Sequence, residues 1–161
     1  MCIRDSCTTF VAPDLVVTTQ SKRLTELRKN VMELYLSDFP ESEIPDGWSE
    51  FHETLGAIGL KGHRYGEGQN HFDLNIDDSN PYFLFDPAKC IVCSRCVRAC
   101  EEIQGTFALT IQARGFESKV AASQDETFME SECVSCGACV QACPSHALVE
   151  KSLFPGGYER A

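Results

Sequence analysis

The sequence lacks any apolar run long enough to cross a membrane, and no apolar core of a secretory signal follows its N-terminus. It is also short of positive charge, because 14 Lys and Arg residues stand against 24 Asp and Glu, a formal net charge of −10. That balance argues against nucleic acid as a partner. We therefore expect a cytoplasmic protein with no transmembrane segment.

Cysteine, by contrast, is abundant but unevenly placed. None lies between Cys7 and Cys90, whereas two matching runs extend from Cys90 to Cys100 and from Cys133 to Cys143. Each run has the spacing C-x2-C-x2-C-x3-C, in which the fourth cysteine of one run ligates the cluster of the other. In a reducing compartment such runs indicate metal ligands rather than disulfides.

Crossed pairing of the two runs predicts two 4Fe-4S clusters and hence electron transfer, with no catalytic residue in the chain. The predicted ligands of the first cluster are Cys90, Cys93, Cys96 and Cys143. Those of the second cluster are Cys133, Cys136, Cys139 and Cys100. Small neighbours, which let backbone N–H groups approach the cluster sulfurs, are Ser94, Ser135, Gly137 and Ala138. The alternative of another class is a zinc-stabilised interaction module, although zinc has no use for the third and fourth cysteine of each run.

Ahead of the cysteine runs, the pattern predicts a helical and irregular segment. Pro13-Asp14 indicates a turn, and Leu15–Thr18 a short strand. Apolar residues recur at helical spacing from Ser21 to Ser37, which predicts an amphipathic helix with its apolar stripe in the core. The proline- and glycine-rich region that follows contains one further short helix, at Ser49–Ile58.

Around the runs, the sequence predicts an α+β fold. The aromatic segment Asn80–Pro87 is extended, leads into the first run and should keep water off a cluster. Thr106–Gln112 and Phe116–Ala121 alternate as a β-hairpin, with Arg114-Gly115 at its turn. The helices predicted after the two runs are Val97–Ile103 and Val140–Ala147. The expected architecture is a bacterial-type two-cluster 4Fe-4S ferredoxin fold with an inserted β-hairpin, preceded by the helical and irregular segment.

These residues also resemble a known family, the N-terminal iron–sulfur region of NAD-linked molybdenum- or tungsten-dependent formate dehydrogenase alpha subunits. The segments that carry the resemblance are 80–87, 90–111, 114–116 and 131–144. The same architecture occurs in the large iron–sulfur subunit of respiratory complex I and in the diaphorase subunit of NAD-reducing hydrogenases. The sequence Cys-Glu-Glu-Ile-Gln-Gly-Thr-Phe-Ala-Leu, from Cys100 to Leu109, favours the formate enzymes.

The resemblance implies an electron relay inside a larger oxidoreductase that transfers electrons from formate to NAD. The implied partners are a molybdopterin domain or subunit that oxidises formate and a flavin/NAD-binding diaphorase-type subunit. Cys7 matches the last ligand of the family's 2Fe-2S cluster, which the full-length protein would hold. A hydrogenase diaphorase or a complex I-like subunit is the alternative within the redox class.

One cluster of the family has no counterpart here. The family holds a 4Fe-4S site with one histidine and three cysteines after the amphipathic helix, and this chain has no cysteine in that region. We expect the three histidines there to be surface residues rather than ligands: His52, His63 and His71. Electrons would then enter from a partner docked beside the double-cluster core. Arg95 and Arg98 are candidates for that docking face, the alternative being ordinary exposed residues at a helix start.

The chain is accordingly divided into five parts. Residues 1–6 match the translation of a transposon end used to prepare DNA for sequencing, so we expect them to be foreign to the protein. The others are a 2Fe-2S domain remnant at 7–19, the helical and irregular segment at 20–79, the double 4Fe-4S domain at 80–152 and a tail at 153–161.

Overall fold

The computed structural model describes residues 10–40, 49–66, 68, 71–154 and 156–157. Its α-helices are α1 (Lys22–Ser37), α2 (Glu50–Ile58), α3 (Arg95–Arg98) and α4 (Ala138–Ala142). Its strands are β1 (Phe83–Phe85), β2 (Leu109–Gln112), β3 (Lys119–Ala122) and β4 (Leu148–Glu150). No helix in these ranges is long and apolar enough to cross a membrane.

Helix α1 begins where the sequence predicts. The Ser21 hydroxyl accepts a hydrogen bond from the Leu24 N–H at 3.2 Å, which satisfies one of the free donors of the first turn. The preceding Pro13-Asp14 turn is also present, but the predicted strand Leu15–Thr18 is wrong. Those residues are exposed and have no strand beside them in the described ranges, so nothing completes a ladder.

The predicted buried face of α1 is wrong as well. Leu27, Val31 and Leu34 are each about half exposed, whereas Leu36 is 2% exposed. The buried side also carries Glu33, whose carboxylate lies 2.9 Å from the Arg64 guanidinium. Because α2 and the chain after it cover only that side of the helix, the apolar stripe read from the sequence faces outward.

Helix α2 completes a small core with α1. Ser49, the first residue of the predicted range, is its N-cap, and Gly59 ends it in the left-handed conformation. Phe51 and Leu55 pack there with Phe39, whose ring centroid lies 5.1 Å from that of Phe51. The same helix reaches the cysteine region, because the Phe51 N–H donates to the Pro144 carbonyl at 2.8 Å.

Two antiparallel strand pairs frame the cysteine runs. β1, which leads into the first run, pairs with β4, which leaves the second, in the register Leu84↔Val149. β2 and β3 pair in the register Thr110↔Ala121 and form the hairpin between the runs. The paired strands are shorter than the predicted ones, and the second begins at Lys119 rather than at Phe116 because a 3-10 turn occupies residues 115–117.

The helices after the runs differ from the predicted ranges. α3 starts at Arg95, before the predicted Val97, and continues as a π-helix over Ala99–Gln104, a form common at functional sites. α4 stops at Ala142 instead of Ala147. Cys143 is extended because Pro144 follows it, and a residue before proline avoids the helical region.

The main core surrounds the cysteines. Phe83, Phe85 and Phe128 pack edge to face, with centroids 5.0 Å apart for Phe83–Phe128 and 6.1 Å for Phe85–Phe128. Cys96, Cys100 and Cys139 belong to the same core, which also includes β2, β3 and β4 side chains. Thus the aromatic segment before the first run does lie in the core that holds the thiols, with Tyr82 as an exposed exception.

Candidate metal centre

The two cysteine runs share a backbone geometry that the residue types alone do not reveal. Val92 and Ser94 flank Cys93 with φ of 51° and 65°, and Ser135 and Gly137 flank Cys136 with φ of 55° and 77°. A left-handed residue therefore precedes and follows the second cysteine of each run. For the β-branched Val92 this conformation is costly, by about 1–3 kcal/mol, and is retained only where the surroundings impose it.

Such repeated left-handed positions turn backbone N–H groups toward one side of a loop. The result is the concave arrangement that binds anions, including the sulfides of iron–sulfur clusters. Gly137 fits this conformation readily because it has no Cβ, whereas Ser94 and Ser135 adopt it against the preference of a residue with a Cβ. That small residues let the backbone approach a cluster stays a prediction.

The eight thiols fall into two groups of electrostatic neighbours. Cys96 is influenced by the charges of Cys90, Cys143 and Cys93, and also by that of Cys139. The second group contains the remaining four cysteines, since Cys139 is influenced by Cys133, Cys136 and Cys100. Each group thus unites three cysteines of one run with the fourth of the other, and Cys96 and Cys139 link the groups.

Burial opposes ionisation of these thiols. It raises the pKa of Cys90 to about 12, an effect to which the nearby Cys143 and Cys93 thiolates add. It also raises the pKa of Cys139 to about 12 and raises those of Cys96 and Cys133. Without a cation, thiolates are therefore disfavoured here; a bound iron–sulfur core would compensate their charge, and its binding would release protons.

Several donors already point at the sulfurs. The Ser135 N–H approaches the Cys133 Sγ at 3.4 Å, and the Leu148 N–H approaches the Cys143 Sγ at 3.4 Å. The Thr106 hydroxyl lies 3.3 Å from the Cys100 Sγ. Hydrogen bonds to ligating sulfurs stabilise negative charge on them and so help set the reduction potential of a cluster.

A buried asparagine positions the second run. Asn80 is 1% exposed, and its Nδ2 donates to the Ser135 Oγ at 2.8 Å. Its Oδ1 accepts from the Tyr82 N–H at 3.0 Å, which fixes the chain entering β1. The sequence analysis did not predict this role. The one signal for it is the turn-forming Ser-Asn-Pro sequence before β1, since asparagine in a turn often accepts a hydrogen bond from the backbone two residues on.

An aspartate joins the same region to the core. The Asp77 carboxylate accepts from the Phe128 N–H at 2.7 Å and from the Ser79 N–H at 2.9 Å. Its backbone pairs with Phe85 through two 2.9 Å bonds. Asp77 thereby joins Phe85 and Phe128, which are far apart in sequence, in the core that contains the thiols.

The expectation that the three histidines lie on the surface is wrong for two of them. His52 and His71 are 8% and 9% exposed, so they are not the surface residues expected of a glycine-rich loop. His52 lies inside α2, where its Nδ1 is 2.6 Å from the Ser49 Oγ, and its ring packs beside Phe39 and Phe51. Burial lowers the pKa of both histidines. His63 is partly exposed, with its Nδ1 2.7 Å from the Tyr65 carbonyl.

Among the described residues, no three His, Cys, Asp or Glu side chains are grouped so as to hold a single metal ion. Cys7 and residues 1–6 lie outside the described ranges, as does most of the tail. The structure therefore gives no position for the predicted 2Fe-2S ligand.

Comparison with known proteins identifies the cysteine region. Residues 89–147 match the family model of the 4Fe-4S dicluster domain. The NADP-reducing hydrogenase subunit HndD of Solidesulfovibrio fructosivorans is 34% identical over 149 residues, which are 90% of this chain and 25% of that protein. A "Putative formate dehydrogenase" of Staphylococcus aureus is 28% identical over 155 residues, 94% of this chain and 15% of that protein.

A solved structure gives the same result at the level of the fold. The NAD+-reducing nickel–iron hydrogenase, determined in its H2-reduced state, superimposes with a TM-score of 0.75 at 25% identity. The match covers 98% of this chain and 67% of the hydrogenase chain. The resemblance to hydrogenase and formate dehydrogenase-type oxidoreductases is thereby confirmed, although this chain spans a quarter or less of the length of the two curated relatives.

Proposed function

We propose that this chain relays single electrons through two 4Fe-4S clusters within a larger oxidoreductase, a proposal supported by the match of residues 89–147 to the family model of the 4Fe-4S dicluster domain. The observation that carries the proposal is the repeated left-handed geometry around Cys93 and Cys136 together with the two groups of thiols. When bound, each cluster supplies a site that accepts and returns one electron.

The protein's own residues would hold, tune and shield that site. Each group of four thiols supplies the ligands, and the N–H groups of Ser135 and Leu148 stabilise charge on the sulfurs. Phe83, Phe85 and Phe128 exclude water from the core beside them, which lowers the local dielectric. Helices α3 and α4, which carry Cys96 and Cys139, contact each other, which brings the two groups together.

We propose crossed ligation, with Cys143 completing the first group and Cys100 the second. Anaerobic reconstitution should give about eight irons per chain, the content of two 4Fe-4S clusters. In Cys100→Ala the electron paramagnetic resonance signal of the Cys133 cluster should change, while that of the Cys90 cluster persists. Loss of the Cys90 signal instead would mean that each run ligates its own cluster.

Metal analysis, sulfide analysis and visible absorption distinguish a zinc-stabilised module from an iron–sulfur protein. Zinc thiolates do not absorb visible light, whereas iron–sulfur clusters do, and acid-labile sulfide belongs to the clusters alone. Protein isolated anaerobically from cells should therefore be brown and contain iron and sulfide in equal amounts. Stoichiometric zinc without sulfide would replace the electron-transfer proposal by a structural one.

The finer proposal is a formate dehydrogenase-like assembly that transfers electrons from formate to NAD. Its partners would be a molybdopterin domain and a flavin/NAD-binding diaphorase-type subunit, in the cytoplasm. The similarity to HndD over 90% of the chain favours a second candidate, a hydrogenase with a diaphorase-type electron-transfer region. Formate and H2 are added separately to the native complex, and only the substrate of the true assembly should reduce the clusters. Molybdenum or tungsten in the complex would indicate the formate-oxidising site, and nickel a hydrogenase.

We also propose the division of the chain into domains that the sequence predicts. Residues 80–152 would form the double-cluster domain and 20–79 a segment without the family's histidine-and-cysteine cluster. Cys7 is proposed as the last ligand of a 2Fe-2S cluster in the full-length protein. A 2Fe-2S signal that appears in the longer protein and disappears in its Cys7→Ser variant would test that role.

A further inference from the structure

The two groups of thiols lie in different electrostatic surroundings. The charges that act most strongly on Cys90 and Cys96 are those of other cysteines. Cys133 differs, because the carboxylate of Asp77 is among the charges that act on it. Since Cys90 and Cys96 belong to the first group and Cys133 to the second, a negative charge lies beside the second group.

Hydrogen bonds hold the Asp77 carboxylate on the loop that leads into the second run. One of its oxygens accepts from the Phe128 N–H at 2.7 Å and the other from the Ser79 N–H at 2.9 Å. Within the loop, the Ser131 hydroxyl donates to the Phe128 carbonyl at 2.9 Å and accepts from the Cys133 N–H at 3.3 Å. The position of the carboxylate relative to Cys133 is therefore fixed by the fold.

The charge of Asp77 is not cancelled by these partners. Both are neutral backbone N–H groups, and hydrogen bonds from such groups favour the ionised form of a carboxylate. The neighbouring Asp78 differs, because its carboxylate lies 2.5 Å from the Lys151 ammonium. Of the two adjacent aspartates, Asp77 is thus the one that acts on the cysteine region as a net negative charge.

The first group has a cation in its surroundings. The Arg95 guanidinium interacts with the charges of Cys93 and Cys143. Its ion pair with the Glu50 carboxylate, at 2.6 Å, offsets part of that effect. What remains acts in the direction opposite to the effect of Asp77 on the second group.

A negative charge beside an iron–sulfur cluster opposes the addition of an electron and so lowers the reduction potential. We propose that Asp77 lowers the reduction potential of the second cluster below that of the first, so that one electron added to the protein lies on the first cluster. The inference rests on the proposed function, since it takes the eight cysteines as ligands of two 4Fe-4S clusters. The electron leaves the second cluster, which is oxidised, and reduces the first, so no further reactant is needed.

The test is an anaerobic redox titration of the iron-loaded protein, followed by electron paramagnetic resonance. Cys136→Ser identifies the signal of the second cluster, because a serine ligand changes the signal of its own cluster. In the wild type, the first cluster should be reduced at the higher potential. Asp77→Asn should raise the midpoint of the second cluster and lower the equilibrium constant for electron transfer from the second cluster to the first about three- to tenfold, which corresponds to about 30–60 mV for one electron.

Three further variants separate the charge of Asp77 from its hydrogen bonds. Ser79→Ala removes the bond from the Met129 N–H to the Ser79 hydroxyl, 3.2 Å long and in the same segment, and should leave both midpoints unchanged. Glu26→Gln removes one exposed charge on α1 and should also leave them nearly unchanged. Ser79→Lys keeps Asp77 and places an ammonium next to its carboxylate, so it should raise the midpoint of the second cluster to a smaller extent than Asp77→Asn.

Three results would overturn the inference: an unchanged second midpoint in Asp77→Asn, an equal rise in Ser79→Ala or Glu26→Gln, or a wild type whose first added electron lies on the second cluster. If Asp77→Asn does not assemble its second cluster, Ser79→Lys decides, and an unchanged second midpoint there has the same consequence. A wild type that assembles fewer than two 4Fe-4S clusters would instead refute the proposed function, and the inference with it.

Discussion

Truncation of Asn80 should destabilise the second cysteine run out of proportion to the size of the side chain. The side chain makes two partly buried hydrogen bonds, to Ser135 at 2.8 Å and from Tyr82 at 3.0 Å. Each contributes about 1 kcal/mol net, and Asn80→Ala also leaves the Tyr82 N–H without its acceptor, at a further cost of up to about 2 kcal/mol. The expected loss is about 2–4 kcal/mol in the free energy of unfolding.

Urea denaturation of the apo-protein, followed by circular dichroism, measures this loss. With a slope of about 2 kcal/mol per molar urea, the midpoint should fall by about 1–2 M. Asn80→Asp keeps the acceptor for Tyr82 but replaces the donor to Ser135 by a buried carboxylate, so at neutral pH it should destabilise the protein as well. Asn75→Ala, at an exposed position, is the matched control and should change stability by less than about 0.5 kcal/mol.

The iron-loaded protein gives an independent readout of the same contact. Since Asn80 holds the loop that contains Ser135, the Asn80→Ala variant should lose the signal of the Cys133 cluster earlier during chelator challenge than that of the Cys90 cluster. If Asn80→Ala is as stable as the wild type, or if its two clusters are lost at the same rate, Asn80 does not hold the second cysteine run in place.

Three further results are expected. Burial lowers the pKa of His52, so this side chain stabilises the fold above about pH 6.5 and loses that contribution as the pH falls through the lowered pKa; His52→Phe should therefore lose less stability than the wild type between about pH 7 and pH 5 in urea midpoints, and equal losses in the two proteins would contradict the lowered pKa. Phe128→Ala removes a ring that is 3% exposed and should cost about 3–5 kcal/mol in the same assay, against little change for the exposed Met129→Ala; a loss below about 1 kcal/mol for Phe128 would refute its place in the core. Burial raises the pKa of Cys90 and of Cys139 to about 12, so in the metal-free protein both thiols should stay protonated at about pH 10, where an ordinary thiol with a pKa of about 8.5 is ionised; the ultraviolet thiolate absorbance at that pH should therefore change little in Cys90→Ser or Cys139→Ser, and a clear loss of absorbance in either variant would contradict the raised pKa values.

The sequence determined the features that depend on local spacing. The cysteine spacing identified a dicluster type of domain because ligation by consecutive turns of one loop requires fixed intervals between thiols. Likewise, the ranges predicted for the first two helices begin at Ser21 and Ser49, which are the N-caps of α1 and α2, because helical periodicity and a capping hydroxyl both depend on residues only three or four positions apart.

Features that depend on what packs against what were decided by the tertiary structure alone. Periodicity placed Leu27 and Val31 in the core, but an apolar stripe is buried only if another element covers it, and α2 covers the side with Leu36. The pairing of β1 with β4, the burial of His52 and the bond from Asn80 to Ser135 join residues distant in sequence. No local pattern encodes such contacts, because they exist only once the two cysteine runs have folded against each other.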